Sequence, residues 1–304
     1  MTPLDVPGVA LDAEELLKLR HLVGNRRGER LLPTGRAGGF VSRRRGRGLE
    51  TIDTRVFAQG DDIRHIDRNT TARSGITHVR TFHDEREKTA LLIADFRPCM
   101  LWGTRRALRS VAAAEILAAI GWRVVEAGGR VGLITFGAAD SVFVPPRART
   151  RGMAAVIGGL VSAHRNALRR ASGFAENVEP ALDRAIEMAG ALVASDASVF
   201  LASALDNAGD AFEGAAAALA RRTALTVILM RDAFERDPPA GSYPYLAGSG
   251  PVRWATVRKE GAAPKLDAQL ARLRRSGTRL VPIDAGQDAA GMLLEFDKAD
   301  GRIR

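Results

Sequence analysis

Strand-like and helix-like patterns of apolar residues alternate from residue 89 to residue 285. Residues 89–96, TALLIADF, form a short and nearly continuous apolar run, which is typical of a strand buried on both faces of a parallel sheet. Residues 105–127 are longer and place their apolar side chains at helical spacing. The alternation predicts an α/β fold: a doubly wound, mostly parallel sheet with helices on both faces.

The remaining elements of this region follow from the same two patterns. Further buried strands are predicted over residues 130–137, 141–146, 198–205, 224–232 and 278–285. Further helices are predicted over residues 150–168, 179–190, 210–222 and 264–276. Residues 242–260 predict a two-stranded excursion from the sheet.

The chain before residue 87 has a different texture, with a helical pattern at residues 11–22. Residues 24–48 are rich in glycine and arginine and predict a loop. Asp61 or Asp62 is a suitable N-cap for a short helix that ends near Arg73. Residues 49–58 alternate and predict extended chain, and residues 76–83 alternate like a half-buried strand.

These patterns divide the chain into three parts. Residues 1–86 are predicted as an irregular, β-containing N-terminal segment, and residues 87–290 as the α/β domain. Residues 291–304 are predicted as a C-terminal tail.

The composition excludes several classes of protein. The 304 residues are 46% hydrophobic and 26% charged, which is ordinary for a globular protein and excludes wholesale disorder. Cys99 is the only cysteine, so a disulfide scaffold and a cysteine-rich metal site are excluded. No secretory signal and no apolar run long enough to span a membrane are visible, so a cytoplasmic protein is expected.

The positive charge is concentrated near the N-terminus. The formal net charge is +10, and residues 18–50 contain ten lysines and arginines against Glu29 and Glu50. Such a stretch, densest at residues 26–47, attracts nucleic acid, an anionic surface or an acidic partner. A solvated surface is the competing interpretation.

Asp95 is the first candidate for a functional residue because it directly follows the apolar run ALLIA. Parallel sheets bind their ligands at the carboxyl ends of the strands, so Asp95 is well placed for a site. A helix cap or a salt bridge to a nearby arginine is the competing interpretation. The chain has no Walker-type phosphate-binding loop and is therefore not itself a P-loop ATPase.

The stretch GDDIRHID, residues 60–67, contains residue types that are capable of acid–base chemistry. The interleaved arginines favour a structural cluster of salt bridges instead. A hydrolase site and a docking surface stay open as alternatives. His78 and His83 are five residues apart on a predicted strand and therefore face opposite sides, which is unsuitable for one shared metal ion.

Two resemblances narrow the interpretation, and together they cover about residues 30–285. ALLIAD, the long helix after it, RVGLITFG and SVFLASALD resemble the von Willebrand factor A-type domain. Residues 57–75 resemble the pattern GD-x-x-R-x-I-D-W-x-x-x-A-R of the family named domain of unknown function 58, although Arg68 replaces the usual tryptophan. The motif residues are Gly60, Asp61, Asp62, Arg64, Ile66, Asp67, Ala72 and Arg73.

The resemblance to this family implies a function. Its members are thought to act as adaptors with MoxR-type AAA+ ATPases in the assembly or maturation of a client protein, and not as enzymes. Many members have transmembrane helices ahead of the motif, whereas this chain resembles a short soluble branch. The alternative function is a binder of nucleic acid or of an anionic surface through residues 26–47.

The resemblance to the A-type domain implies a metal site that has degenerated in this chain. Of the usual Asp-x-Ser-x-Ser ligands only Asp95 remains, because Arg97 and Cys99 occupy the serine positions. Glu176 stands loosely where a threonine is usual, and Asp206 lies two residues beyond the position of the last aspartate. We therefore expect no metal and no cofactor at this position.

A specific hypothesis follows for Arg97. Its guanidinium takes the place of the cation and pairs with Asp95 or Asp206, so that an acidic side chain of a partner docks there without metal. The competing interpretation is that Arg97 points to solvent. The predicted partner-binding residues are Asp95, Arg97, Cys99, Glu176 and Asp206.

Overall fold

The computed structural model describes most of the chain, and the structural statements below refer to this part. The described ranges are residues 6–24, 51–58, 61–82, 89–138, 141–172, 179–236, 238–245, 252–257 and 264–299. Within these ranges, no helix combines the length and the apolar character that crossing a bilayer requires.

The chain forms two compact units. The smaller unit is Gly39–Glu87, and the larger unit combines Met1–Gly38 with Lys88–Arg304. The domain boundary predicted after residue 86 lies close to the boundary between the units. The described residues 6–24 differ from the prediction, because they belong to the same unit as the α/β sheet.

The larger unit begins with two short helices where the sequence predicts one. α1 (Ala13–Lys18) and α2 (Arg20–Gly24) follow Asp12, whose side chain caps α1 by accepting from the amide of Glu14. The helices pack on the body of this unit, and the backbone carbonyl of Leu16 accepts a hydrogen bond from the indole of the buried Trp122 at 3.0 Å.

The smaller unit is built from two antiparallel strands and the residues between them. β1 (Thr51–Val56) pairs with β2 (His78–Phe82), and both strands lie where the alternating patterns predict extended chain. A 3-10 helix (Ile63–His65) and α3 (Arg68–Ser74) replace the single predicted helix. Ile66 is extended between them, which interrupts the helical hydrogen bonding.

The larger unit contains a six-stranded sheet, and each of its strands overlaps a predicted strand. Its strands are β3 (Thr89–Asp95), β4 (Arg130–Phe136), β5 (Ser141–Ala148), β6 (Ser198–Ser203), β7 (Ala224–Arg231) and β10 (Arg279–Asp284). A separate hairpin after β7 consists of β8 (Gly241–Tyr245) and β9 (Arg253–Val257), where the excursion is predicted.

The strand order of the sheet is β10-β7-β6-β3-β4-β5. All neighbours are parallel except β5, which runs antiparallel to β4 at the edge. Within this sheet, the chain enters at β3, continues outward through β4 to β5, and then returns to β6 on the other side of β3. The direction of winding therefore reverses between β3 and β6, which makes this the topological switch point of the sheet.

Helices cover both faces of the sheet, as predicted. The helices that follow the first strand of the sheet are α4 (Arg109–Glu126), α5 (Arg149–Ala171), α6 (Asp183–Leu192), α7 (Phe212–Ala220), α8 (Ala233–Arg236), α9 (Pro264–Arg275) and α10 (Ala289–Ala299). Leu92 of β3 packs with α4, α5 and α10, whereas Leu91 packs with α6, α7 and α9. This alternation follows from the two-residue period of a strand.

The C-terminal residues differ from the predicted tail. α10 packs on α4 and β10, with Met292 and Phe296 buried in the core. Asp297 forms a buried, two-pronged ion pair with Arg123 of α4. The helical spacing of the apolar residues in this segment was the available signal.

Candidate functional site

The candidate site lies at the switch point of the sheet. Asp95 is the last residue of β3, and Ser203 is the last residue of β6, the neighbouring parallel strand. Both side chains are fully buried. In doubly wound sheets the diverging loops at this point leave a crevice in which ligands bind.

The side chain of Arg97 fills this position. It has no exposed surface, and it donates two parallel hydrogen bonds to the carboxylate of Asp95, from Nε to Oδ1 at 2.9 Å and from Nη2 to Oδ2 at 2.9 Å. Burial lowers the pKa of the Arg97 guanidinium, but the hydrogen bonds and charge of Asp95 outweigh it and raise the pKa above its usual value. The predicted pairing with Asp95 is confirmed, and the solvent-facing alternative is wrong.

The other donors of Arg97 reach the backbone of distant segments. Nη1 donates to the carbonyls of Pro180 and Asn207, both at 2.9 Å, and Nη2 donates to the carbonyl of Asp206 at 2.8 Å. A guanidinium has five N–H donors, and all five are therefore used. Arg97 thus holds together the loop after β3, the segment before α6 and the loop after β6.

The carboxylate of Asp95 likewise uses all of its hydrogen-bond acceptor sites. Oδ1 accepts from the backbone amide of Arg97 at 3.1 Å as well as from its Nε, and Oδ2 accepts from the hydroxyl of Ser203 at 2.7 Å as well as from Nη2. Four donors match the acceptor sites of a carboxylate. Asp95 has no acceptor site left for a cation or for acid–base catalysis in this conformation.

The loop after β6 is held in a strained conformation. Leu205 and Asn207 have φ values of 63° and 43°, in the left-handed region. This region costs an ordinary side chain about 1–2 kcal/mol, and leucine lacks the polar side chain that helps asparagine there. The strain turns the carbonyls of Asp206 and Asn207 toward Arg97, whose hydrogen bonds offset it.

A second arginine forms an outer layer of the site. Arg109, the first residue of α4, is buried and donates to the carboxylate of Asp206 at 2.9 Å and to Glu235 at 2.6 Å. It also donates to the carbonyl of Cys99 and lies over the ring of Trp102 at 5.2 Å. Asp206 therefore offers its carbonyl to Arg97 but its carboxylate to Arg109, which corrects the predicted carboxylate pairing with Arg97.

Cys99 is partly buried beside this network. Burial raises the pKa of the Cys99 thiol far above its usual range, and the charge of Asp95 adds to this effect more than the charge of Arg97 offsets it. The sulfur is therefore a neutral thiol, which is neither a good nucleophile nor a good metal ligand.

A wall of side chains after β7 borders the site. Asp232 follows β7 directly and accepts from the amide of Thr104 at 2.9 Å. Burial alone would raise the pKa of Asp232, but the hydrogen bonds from Thr104 and Phe234 lower it below its usual value. Phe234 packs edge-to-face on Trp102 and on Tyr243 of β8, at 6.1 and 4.9 Å between ring centres.

The structure thus brings together Asp95, Arg97, Cys99 and Asp206. Glu176, Gly60 and the basic stretch 26–47 lie outside the described residues. Glu179 instead approaches the Nη1 of Arg97 at 3.7 Å. A partner carboxylate cannot dock on Arg97 itself, contrary to the hypothesis from the sequence, because the guanidinium has neither exposed surface nor a free donor.

The acidic residues of the family motif have local structural tasks in the smaller unit. Asp61 pairs with Arg55 and accepts from the amide of Ala58 at 2.9 Å. Asp62 caps the 3-10 helix, and Asp67 caps α3. These contacts support the structural interpretation of the motif. Of the remaining motif residues in the described part, Arg64, Ala72 and Arg73 are exposed and Ile66 is partly buried.

Sequence reasoning missed Ser203, Arg109 and Asp232. Asp232 could have been found with the rule that found Asp95, since it also directly follows a buried strand. Arg109 stands in the first turn of a helix, where acidic residues are the stable choice, and this unusual placement was a signal. Across the described residues, no three His, Cys, Asp or Glu side chains are grouped as metal ligands would be.

The fold and the site define a doubly wound α/β protein whose ligand crevice is occupied by its own arginine. The family model described as "Protein of unknown function DUF58" matches residues 53–248, well over half of the chain, and the chain belongs to this family.

Three relatives were found: uncharacterized proteins from Mycobacterium bovis and from two strains of Mycobacterium tuberculosis. Each is 31% identical over 102 residues, which cover 34% of this chain and 32% of the relative. The match thus spans about a third of the length of these relatives.

Proposed function

We propose that this protein is a non-enzymatic adaptor that works with a MoxR-type AAA+ ATPase on a client protein, and that its larger unit is a von Willebrand A-like domain. The family resemblance suggests the type of partner. The doubly wound sheet with Asp95 at the end of its first strand supports the kinship with the A-type domain.

The observation that carries the proposal is the occupied crevice at the switch point. Arg97 and Asp95 satisfy each other, together with three backbone carbonyls. A small substrate has no room to replace them without breaking a buried ion pair, which is costly. The crevice therefore acts as a rigid base for a surface, and a surface of this kind suits protein docking better than catalysis.

The proposed docking surface consists of Trp102, Asp206 and Asn207, which lie above the buried pair. Trp102 is 37% exposed, and the side chain of Asp206 is 49% exposed. Arg109 holds both Trp102 and Asp206 from below. Rigid tryptophans with a polar surround are typical of the residues that dominate the free energy of protein–protein binding.

The test is a titration of the full-length protein with the MoxR-type AAA+ ATPase of the same organism, in which calorimetry measures the binding. We expect Trp102→Ala to weaken binding at least tenfold, because an anchoring tryptophan commonly contributes about 2 kcal/mol or more. The matched control is Leu192→Ala, a somewhat more exposed apolar residue (44%) at the end of α6, near the amino-terminal ends of the strands.

The two parts of the proposal fail in different ways. If the unaltered protein does not bind the ATPase, the partnership is wrong. If it binds and Trp102→Ala binds equally well, the partnership stands and the docking surface is elsewhere. Thermal melts of both variants must match that of the unaltered protein, so that lost binding reports a lost contact.

A further inference from the structure

α5 and the turn before it carry a cluster of exposed arginines with few acidic side chains beside it among the described residues. Arg147, Arg149 and Arg151 cluster where β5 passes into α5, and Arg165 and Arg169 lie near the other end of the helix. All five side chains are exposed. The described residues within 129–172 include no aspartate and no glutamate.

This arrangement is electrostatically unfavourable in the free protein. Arg149 and Arg151 lie in the first turn of α5, where the helix dipole already concentrates positive charge. Arg165 and Arg169 are four residues apart on the helix, a spacing at which like charges repel. Arg149 also has a φ of 63°, in the left-handed region that a long side chain rarely adopts. A bound polyanion would relieve the repulsion at both ends.

The neighbouring helix does not neutralise these arginines. α1 packs beside α5 and carries the carboxylates of Glu14 and Glu15. Both carboxylates share the single ammonium of Lys18 of their own helix, at 3.2 and 2.8 Å, so α1 has a net charge of only −1 to set against five exposed arginines.

The arginines of α5 form a line. Arg165 and Arg169 follow Arg151 by 14 and 18 residues, which is close to whole numbers of helical turns, so the three share one face. At a rise of 1.5 Å per residue they lie about 21 and 27 Å beyond Arg151. The exposed residues between them on this face, Ala154, Gly158 and Ser162, are small, so nothing rises between the charges.

The chemistry of this face indicates the kind of partner. Phe143, 42% exposed, is the only exposed large hydrophobic residue among the described residues of 129–172. Protein–protein interfaces need an apolar centre, whereas nucleic-acid interfaces are polar and strongly positive. The arginine fork matches a phosphate group. Aromatic residues for stacking on single-stranded bases are missing from this line of side chains, which favours a duplex.

We propose that the face defined by Arg147, Arg149, Arg151, Arg165 and Arg169 binds the phosphate backbone of duplex nucleic acid without regard to base sequence. This face shares no residue with the proposed docking surface or with the basic stretch 26–47, and the inference does not depend on the adaptor function.

The test measures the binding of full-length protein to a fluorescein-labelled 24-base-pair DNA duplex by anisotropy, from 50 to 200 mM salt. The variant replaces three arginines of the line: Arg151→Gln, Arg165→Gln and Arg169→Gln. We expect binding at least about tenfold weaker and a salt dependence smaller by about 0.9 per lost phosphate contact. The control variant, Arg184→Gln, Arg253→Gln and Arg274→Gln, changes the net charge equally at other exposed positions and should bind within about twofold of the unaltered protein.

Several results would overturn the proposal. Equal loss in both triple variants would mean a general effect of net charge, and no loss in either would place binding elsewhere in the chain. Tighter, arginine-dependent binding to polyglutamate would mean an acidic protein partner. Tighter binding to phosphatidylglycerol vesicles would mean a membrane surface. Unchanged circular dichroism melts must accompany each comparison.

Discussion

At the scale of single residues, the central feature is an internal cation. Arg97 lies among oxygen atoms from Asp95 and from three backbone carbonyls, a set of donors that would suit a hard metal ion. A guanidinium in this position keeps its charge at every physiological pH and depends on no supply of metal. The adaptor function proposed for the protein would then be independent of metal.

Removal of the Arg97 charge should destabilise the larger unit severely. Arg97→Met keeps an apolar side chain of similar length but leaves the carboxylate of Asp95 buried without a counter-charge. Breaking a buried ion pair on one side costs about 3–5 kcal/mol. Urea unfolding, monitored by circular dichroism, would measure this change in the free energy of unfolding.

The matched control is the double variant Arg97→Met with Asp95→Asn. The amide keeps an acceptor for Ser203 and removes the unpaired charge, so part of the lost stability should return. A loss below 1 kcal/mol in the single variant would contradict the importance given to the pair.

The residue scale also shows how far sequence reasoning reaches into the site. Asp95 and Arg97 are two residues apart at the end of a strand, so their pairing was predictable locally. The carbonyls of Pro180 and Asn207 were not, because any residue type supplies a carbonyl and these lie 83 and 110 residues away.

At the scale of elements, the packing of α4 on α5 contains a buried polar contact. His164 of α5 has its Nε2 2.9 Å from the hydroxyl of Ser110 of α4, and the ring of Phe96 packs against its imidazole. Burial lowers the pKa of His164 from 6.5 to about 4. The histidine is therefore neutral in the folded protein at neutral pH.

This histidine should make the folded protein sensitive to mild acid. Below pH 6.5 the unfolded chain binds a proton at His164, whereas the folded protein binds it only near pH 4. The free energy of unfolding therefore decreases as the pH falls through this window. The linkage amounts to about 3 kcal/mol. Urea unfolding at pH 7, 5.5 and 4.5 would follow the loss.

The comparison variant is His164→Gln, which cannot take up a proton in this range. Its stability at pH 7 is lower because a buried contact changes, but its decline toward pH 4.5 should be shallower than that of the unaltered protein. Parallel declines would show that His164 is not the group responsible.

The antiparallel direction of β5, the edge strand of the sheet, could have been predicted from the sequence. Only four residues, 137–140, separate β4 from β5. A parallel neighbour needs a crossover of a dozen or more residues, so a link this short allows only an antiparallel pair. The apolar pattern alone did not distinguish β5 from the parallel strands.

At the scale of the whole molecule, α1 and α10, the first and last helices of the described residues, complete the larger unit. Leu16 of α1 and Phe296 of α10 belong to the same buried cluster as the core of α4. Arg123 and Trp122, adjacent on α4, contact α10 and α1 respectively. The folded body therefore extends beyond the domain limits drawn from the strand and helix patterns.

Truncation should reveal this dependence on the C-terminal helix. Removal of all residues after Asp288 deletes α10, exposes part of the core and leaves Arg123 buried without Asp297, so we expect a loss of about 3–5 kcal/mol or failure to fold. Removal of only the residues after Ala299 is the control and should leave the melting temperature unchanged. Equal melting temperatures would show that the segment is a tail after all.

The sequence by itself determined the α/β class, the position of every strand in the described sheet, and the placement of Asp95 at a strand end. These properties follow from local periodicity, since a buried strand or an amphipathic helix needs apolar residues at fixed short spacings. Only the tertiary structure decided that Arg97 is fully buried, that Asp206 turns its carboxylate to Arg109, and that α1 and α10 join the core. The physical reason is that burial and hydrogen-bond partners depend on segments about a hundred residues apart, which no short spacing encodes.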